Sequence, residues 1–159
     1  FGTLFRADHG NSPPDGAGIG FFRGGSLYSD LCPPPSDVPD IPVGPTVDDF
    51  VTALVEHPLL DVTEPVDVTL GGHPGKYLEL QLPSDVSACN HFVWQPNIYA
   101  QGPDHLWHTY VLDVDGVRVV IHADTYPGTS QEVRDQIDDI LRSLRIDTVP
   151  PPSAGPSAS

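Results

Sequence analysis

The sequence has 159 residues, with 22 acidic side chains against 7 basic ones and a formal net charge of −15. A chain of this length is sufficient for one domain with its own core. Its acidic surface repels the phosphates of nucleic acids and of anionic membranes, so we expect no nucleic acid partner, and a membrane contact only through a tether outside this chain. There is no methionine, even at position 1, which indicates a start inside a longer precursor or after a processing site.

The N-terminal part of the chain is rich in glycine and proline. Residues 1–30 are predicted to form a loosely organised strand and loop region, with one weak strand from Gly18 to Arg23. Prolines are concentrated in residues 28–45, and proline is excluded from helix interiors and central strands. We therefore expect this segment to be extended and irregular.

A first amphipathic helix is predicted from residue 47 to about residue 57. Thr46 is a suitable N-cap, and Asp49 at the third helical position completes a pair that resembles a capping box. Pro58 ends the helix. The side chains expected to face the core at helical spacing are Val47, Phe50, Val51, Leu54 and Val55.

Strands are predicted in the middle of the chain. Apolar and polar residues alternate over residues 66–70 and 78–82, on either side of a GGHPG segment, which predicts a hairpin with one solvent-exposed face. Residues 92–100 are predicted to form a weaker strand, interrupted by Pro96.

A second hairpin is predicted from residues 106–114 and 117–123. These segments flank Asp115-Gly116, a strong signal for a two-residue type I′ turn. This register places Asp113 opposite Arg118, where we expect a cross-strand ion pair, and Thr109 opposite His122.

A second helix is predicted from about residue 131 to residue 144, with Thr129 and Glu132 as its capping box. Residues 148–159 are rich in proline and serine and are expected to form a flexible tail, so that the domain comprises residues 1–147. The helix residues expected to face inward are Val133, Ile137, Ile140, Leu141 and Leu144.

These elements predict an α+β domain. We expect a mostly antiparallel, twisted sheet of about five strands, with the two amphipathic helices packed on one face.

The chain has two cysteines, Cys32 and Cys89, both in loop-like contexts. Neither belongs to a CxxC motif, and no histidine at ligand spacing completes a zinc site with them. The even number favours a disulfide, which in the chain-entropy model contributes about 4 kcal/mol for a loop of this length. The alternative is a pair of buried free thiols in a cytosolic protein.

A series of motifs runs through the part of the chain that contains the predicted elements. In chain order they are VGPTVDDFV from Val43, VDVTLGGHPGKYLELQLP from Val66, Cys89, YAQGP from Tyr99, LDVDGVRVVI from Leu112 and PGT from Pro127. Over about residues 31–146, this set resembles an uncharacterised family of actinobacterial extracytoplasmic domains. The resemblance implies an exported or membrane-tethered domain with a cysteine near each of Cys32 and Cys89. It implies no activity, cofactor or catalytic residue.

Two groups of residues are candidates for a functional site. His122 and Asp124 share one face of their strand, across from Thr109 and Trp107, and such a pair suits metal binding or acid–base chemistry, although a half-exposed polar sheet face explains it equally. His105 and His108 have metal-like spacing on a helix but face opposite ways on a strand.

The aromatic residues Trp94, Tyr99 and Trp107 form the second group. They would make a platform for a carbohydrate or peptide if they emerged on a solvent-exposed sheet face, and otherwise they belong to the core.

The sequence contains no GxSxG, HExxH or P-loop motif. We therefore expect a secreted or cell-envelope module for binding, sensing or scaffolding, with no cofactor or metal and with a protein, peptide or carbohydrate ligand. The alternative is a small secreted hydrolase or metal-dependent enzyme that uses His122 and Asp124. The candidate ligand-binding residues are Trp94, Tyr99, Trp107, Thr109, His122 and Asp124.

Overall fold

A computed structural model describes residues 2–5, 10–32, 38–87, 89, 92–96 and 98–147. The predicted tail, residues 148–159, lies outside the described residues. Nine strands and two helices are present in this part of the chain. They are β1 (Gly2–Phe5), β2 (Ala17–Phe22), α1 (Val47–Val55), β3 (Asp61–Val62), β4 (Val66–Leu70), β5 (His73–Gln81), β6 (Val93–Gln95), β7 (Ile98–Tyr99), β8 (Leu106–Val114), β9 (Val117–Thr125) and α2 (Gln131–Ser143).

Seven of these strands form one sheet, in the order β1-β2-β9-β8-β5, with β3 and β4 both paired to the outer side of β5. Every pairing in this sheet is antiparallel. The α+β class and the mostly antiparallel sheet are therefore confirmed, with seven strands where about five were expected. The remaining strands, β6 and β7, pair with each other across Pro96 as a small hairpin.

Both predicted hairpin turns are present. Asp115 and Gly116 have φ values of 52° and 80°, and the register pairs Asp113 with Arg118 as predicted. The expected ion pair between them is absent, because each side chain has other partners. The Asp113 carboxylate accepts a hydrogen bond from the Gly116 amide within the turn. Arg118 instead donates to the carbonyls of three residues that precede α1 or begin it, which are Gly24, Gly44 and Thr46.

Helix α1 begins as predicted. Thr46 and Asp49 form a reciprocal capping box, in which each side chain accepts a hydrogen bond from the other residue's amide. Phe50, Val51 and Leu54 are buried, whereas Val55 is 46% exposed at the end of the helix, where the prediction placed it in the core.

The two helices lie on opposite faces of the sheet, so the prediction that they share one face is wrong. Neighbouring residues of β9 show this directly: Val120 belongs to the core that contains α1, and Ile121 belongs to the core that contains α2. Successive side chains of a strand point to opposite faces. The sheet therefore separates an α1-side core from an α2-side core, and β9 is buried on both faces from Val120 to Thr125.

Helix α2 is capped by Ser130 and not by Thr129 as predicted. The Ser130 hydroxyl accepts from the Val133 amide. Thr129 is buried, and its hydroxyl accepts from the Tyr126 amide and donates to the Gly16 carbonyl, both at 2.8 Å. The hydroxyl of Thr129 therefore ties the loop before α2 to the segment that leads into β2. Of the apolar side chains predicted to face inward, Ile140 is 42% exposed.

We expect Thr129→Val to destabilise the protein more than Ser130→Ala. Valine has the same shape but leaves a buried amide and a buried carbonyl without a partner, which costs about 2 to 3 kcal/mol. Loss of the Ser130 cap costs about 1 kcal/mol. Denaturant unfolding of both variants tests the order, and a larger loss for Ser130→Ala would contradict the assignment of the cap.

The predicted disulfide between Cys32 and Cys89 is present, with a sequence separation of 57. Backbone hydrogen bonds join the same region to β6, from the Tyr28 amide to the Trp94 carbonyl and from the Val93 amide to the Leu31 carbonyl. Residues 27–32 and the β6–β7 hairpin thus cover the α1 side of the sheet. In the described part of the chain, no helix is long and apolar enough to cross a bilayer.

Candidate functional site

A cavity of about 140 Å³ lies on the α1 side of the sheet, where β2, β8 and β9 meet the β7 strand and the loop after it. The cavity extends over β2 at Gly20, because this residue pairs with His122 and has no side chain to fill the space. An engineered protein cavity of about 150 Å³ holds benzene, so this cavity has room for a group of about six non-hydrogen atoms. The residues that line it are Thr3, Asn11, Gly20, Phe21, Phe22, Ile98, Tyr99, Gln101, His105, Trp107, His122 and Asp124.

His122 is the central polar group of the cavity wall and is only 3% exposed. Its Nδ1 atom lies 2.8 Å from the Thr109 hydroxyl, which is also 3.4 Å from the Trp107 carbonyl. Burial, together with the nearby His105, lowers the pKa of His122 from 6.5 to about 3, so the imidazole is uncharged at neutral pH. Within the described structure, the Nε2 atom of His122 is buried and has no hydrogen-bond partner.

A second polar pair, His105 and Asp124, lies beside His122. The Nε2 atom of His105 is 3.2 Å from Oδ2 of Asp124, and both side chains are at least nine-tenths buried. The backbone amide of Gln101 donates to Nδ1 of His105 at 3.5 Å. Because an amide can only donate, Nδ1 is the acceptor and Nε2–H donates to the carboxylate. Both nitrogens of His105 are therefore engaged.

Aromatic rings enclose His122. The ring centroids of Phe22, Trp94 and Trp107 lie 4.6, 5.2 and 5.8 Å from its own. Trp94 and Trp107 are buried, so the hypothesis that they form an exposed platform is wrong. The physical reason is that residues 27–32 and the β6–β7 hairpin cover the α1 side of the sheet here, so this side has no solvent-exposed face on which the two rings could lie.

The six residues predicted to bind a ligand all lie at this cavity or next to it, but not all of them line it. Tyr99, Trp107, His122 and Asp124 line the cavity, and Tyr99 is 47% exposed. Trp94 packs against His122 from the core, and Thr109 lies behind it and is fully buried. The explanation of His122 and Asp124 as a half-exposed polar face is therefore wrong.

Sequence reasoning missed His105, which it grouped with His108. The two histidines do face opposite ways: His105 lines this cavity, and His108 hydrogen-bonds to Tyr77 on the α2 side. The available signal was the strand period, because residues 105, 107 and 109 alternate onto one face even though His105 precedes the strand. The structure also pairs Asp124 with His105, where the prediction paired it with His122.

Two further cavities lie elsewhere. One of about 530 Å³ adjoins the start of α1 and contains no histidine among its described residues; its cations Lys76 and Arg118 bind Asp67 and backbone carbonyls, respectively. One of about 260 Å³ lies on the α2 side and includes His108 and Arg134. In the residues that the structure describes, no three His, Cys, Asp or Glu side chains are placed to hold a metal ion.

The sequence matches no protein-family model and no curated relative. Its fold is similar to the crystal structure of PA94 from Pseudomonas aeruginosa, described as a protein of unknown function and a candidate regulator. The TM-score is 0.52 at 14% sequence identity, and the match covers 93% of this chain and 83% of that chain. At this identity the similarity concerns the fold alone.

Proposed function

We propose that this protein is an extracytoplasmic binding or sensing module that takes a small group of its ligand into the cavity beside His122. The observation that carries the proposal is His122, which lines a cavity and whose Nε2 atom is buried without a hydrogen-bond partner in the described structure. A buried polar atom without a partner costs about 1 to 3 kcal/mol, and a bound ligand removes that cost.

The disulfide supports the extracytoplasmic part of the proposal, because such bonds persist in oxidising compartments. The exposed ring of Tyr99 offers a contact surface for the rest of a protein, peptide or carbohydrate ligand.

The alternative of a hydrolase or metal-dependent enzyme has less support from the geometry. Thr109 is the hydroxyl that contacts His122, and it is fully buried, away from the cavity. No serine or cysteine is among the described lining residues. A general base with a pKa of about 3 is also poorly matched to neutral pH.

A valine at Gly20 tests the binding function. A β-carbon there meets only the Thr3 side chain, at an ordinary 3.8 Å, so the strand can accept the residue while its methyl groups fill the cavity. The probes are neutral, cationic and anionic fragments of about six non-hydrogen atoms, with monosaccharides and dipeptides, and the readout is the NMR shift of the His122 and Trp107 ring nitrogens. We expect at least one probe class to bind wild type, and Gly20→Val to weaken that binding about tenfold or more.

The matched control is Gly25→Val, since a β-carbon at Gly25 meets nothing within 4 Å and Gly25 does not line the cavity. Its affinity should equal that of wild type. Failure of every probe to shift His122, or equal binding by Gly20→Val, would contradict the proposal. Turnover of esterase, glycosidase or peptidase substrates that His122→Asn abolishes would favour the enzyme alternative.

A further inference from the structure

The charge of the cavity beside His122 indicates what kind of group it accepts. Asp124 is the only carboxylate among its described lining residues, and no lysine or arginine is among them. His122 is uncharged at neutral pH, so it neither attracts an anion nor repels a cation. The net charge of the whole chain, −15, also favours a cationic group over an anionic one.

Two residues that line this cavity carry side-chain atoms that can accept a hydrogen bond, Asp124 and His122. His105 donates to Oδ2 of Asp124 and orients the carboxylate, while Oδ1 accepts no hydrogen bond from any described residue. The Thr109 hydroxyl contacts both the Trp107 carbonyl and Nδ1 of His122. In the tautomer in which the hydroxyl donates to the carbonyl, it accepts from Nδ1–H and Nε2 is an acceptor; in the other tautomer Nε2 carries the proton.

Aromatic rings complete the site. Phe22, Tyr99 and Trp107 line the cavity, and the faces of such rings attract ammonium and guanidinium groups. A carboxylate, a neutral imidazole acceptor and aromatic walls together match an ammonium group, which has three N–H donors and no acceptor. A carboxylate or phosphate group would instead meet Asp124 with like charge.

We propose that the cavity binds an organic cation, a primary ammonium group on a short alkyl chain of about six non-hydrogen atoms in total. This inference rests on the proposed binding function and names the ligand chemistry of the same site. The ammonium donates to Asp124 Oδ1 and His122 Nε2, and the alkyl chain contacts the aromatic walls. The source of the group is either a lysine side chain of a peptide or a free alkylamine.

The test compares three ligands of nearly the same shape: n-butylammonium, 1-butanol and butyrate. Each is titrated into isotopically labelled wild-type protein at pH 7 and constant ionic strength, with dissociation constants taken from the shifts of the His122 and Trp107 ring nitrogens. Charge-assisted hydrogen bonds are about twice as strong as neutral ones. We therefore expect n-butylammonium to bind at least about tenfold more tightly than 1-butanol, and butyrate to bind more weakly than either.

Three variants locate the effect. Asp124→Asn should weaken n-butylammonium binding about tenfold or more while changing 1-butanol binding little, because it removes the charge and keeps the shape. His122→Asn keeps a polar partner near Thr109 but removes the second acceptor, and it should also weaken n-butylammonium binding. Asp139→Asn removes one negative charge, as Asp124→Asn does, but at a solvent-exposed position on α2. Its affinity for n-butylammonium should equal that of wild type.

The outcomes separate this inference from the function on which it rests. If n-butylammonium and 1-butanol bind equally, or if Asp124→Asn keeps the full preference for n-butylammonium over 1-butanol, the cavity does not select a cation. The proposed binding function would still stand. No shift at His122 with any of the three ligands overturns the cation inference, and the wider probe panel then decides the binding function. The wild-type comparison decides the case even if both cavity variants fail to fold.

A fourth ligand, N-acetyl-lysine N-methylamide, distinguishes the two sources of the ammonium group. Binding at least as tight as that of n-butylammonium assigns the cation to a peptide, since Tyr99 can then contact the backbone. Markedly weaker binding assigns it to a free amine. Either result supports the shared ammonium chemistry.

Discussion

Replacing Cys32 and Cys89 with serine is expected to lower the free energy of unfolding by about 4 kcal/mol. The bond joins residues 57 positions apart, and opening it restores the conformational entropy of a long loop to the unfolded chain. The bond also holds part of the fold in place. Residues 27–32 and the β6–β7 hairpin cover the α1 side of the sheet, and the bond connects Cys32 in this cover to Cys89 in the segment between β5 and β6. Denaturant unfolding under oxidising conditions measures it.

The control is the reduced wild-type protein, which should unfold at the same denaturant concentration as the double variant. The double variant itself should not respond to the reductant. Wild-type unfolding that is unchanged by reduction would show that the bond contributes little to stability, and it would also weaken the extracytoplasmic part of the proposed function.

Acidification from pH 6.5 to about pH 3 is expected to destabilise the protein through His122. In this range the unfolded chain protonates the imidazole, whereas burial keeps it unprotonated in the folded state, because its pKa falls from 6.5 to about 3. Unfolding then takes up a proton, so stability falls as the pH falls, by up to about 1.4 kcal/mol per pH unit. The contribution of uncharged His122 to the free energy of unfolding is fully present above pH 6.5.

The measurement is the pH dependence of the free energy of unfolding for wild type and for His122→Asn. The variant should have a shallower slope in this range, whatever its stability at pH 7. His73→Asn, which removes a half-buried histidine outside the cavity, retains His122 and should keep its contribution to the slope. Identical slopes for wild type and His122→Asn would contradict the uncharged state of His122.

Local features of the fold were predictable from the sequence. The capping box of α1, the Asp115-Gly116 turn and the register that it imposes depend on residues that are neighbours in the chain or across one hairpin. Conformational preference and hydrogen-bond geometry decide such features without knowledge of the rest of the molecule.

Features that depend on distant segments were not predictable. Strand alternation shows that β9 has two faces, but not that residues 27–32 and the β6–β7 hairpin cover one of them. For that reason His122 and Asp124 resembled a solvent-exposed polar face, and the helices were assigned to one side. The cap of α2 was misassigned for a related reason, because the hydroxyl of Thr129 is used by Gly16, a residue far away in sequence.

The burial of β9 on both faces brings the cavity and α2 to the same end of this strand. Asp124 lines the cavity, and the next two residues, Thr125 and Tyr126, accept hydrogen bonds from the Arg134 guanidinium of α2 through a hydroxyl and a carbonyl. Asp124, which lines the cavity, and the two residues that hold the Arg134 guanidinium are therefore consecutive in the chain. The cavity on one side of the sheet and the helix on the other thus share a single short segment of backbone.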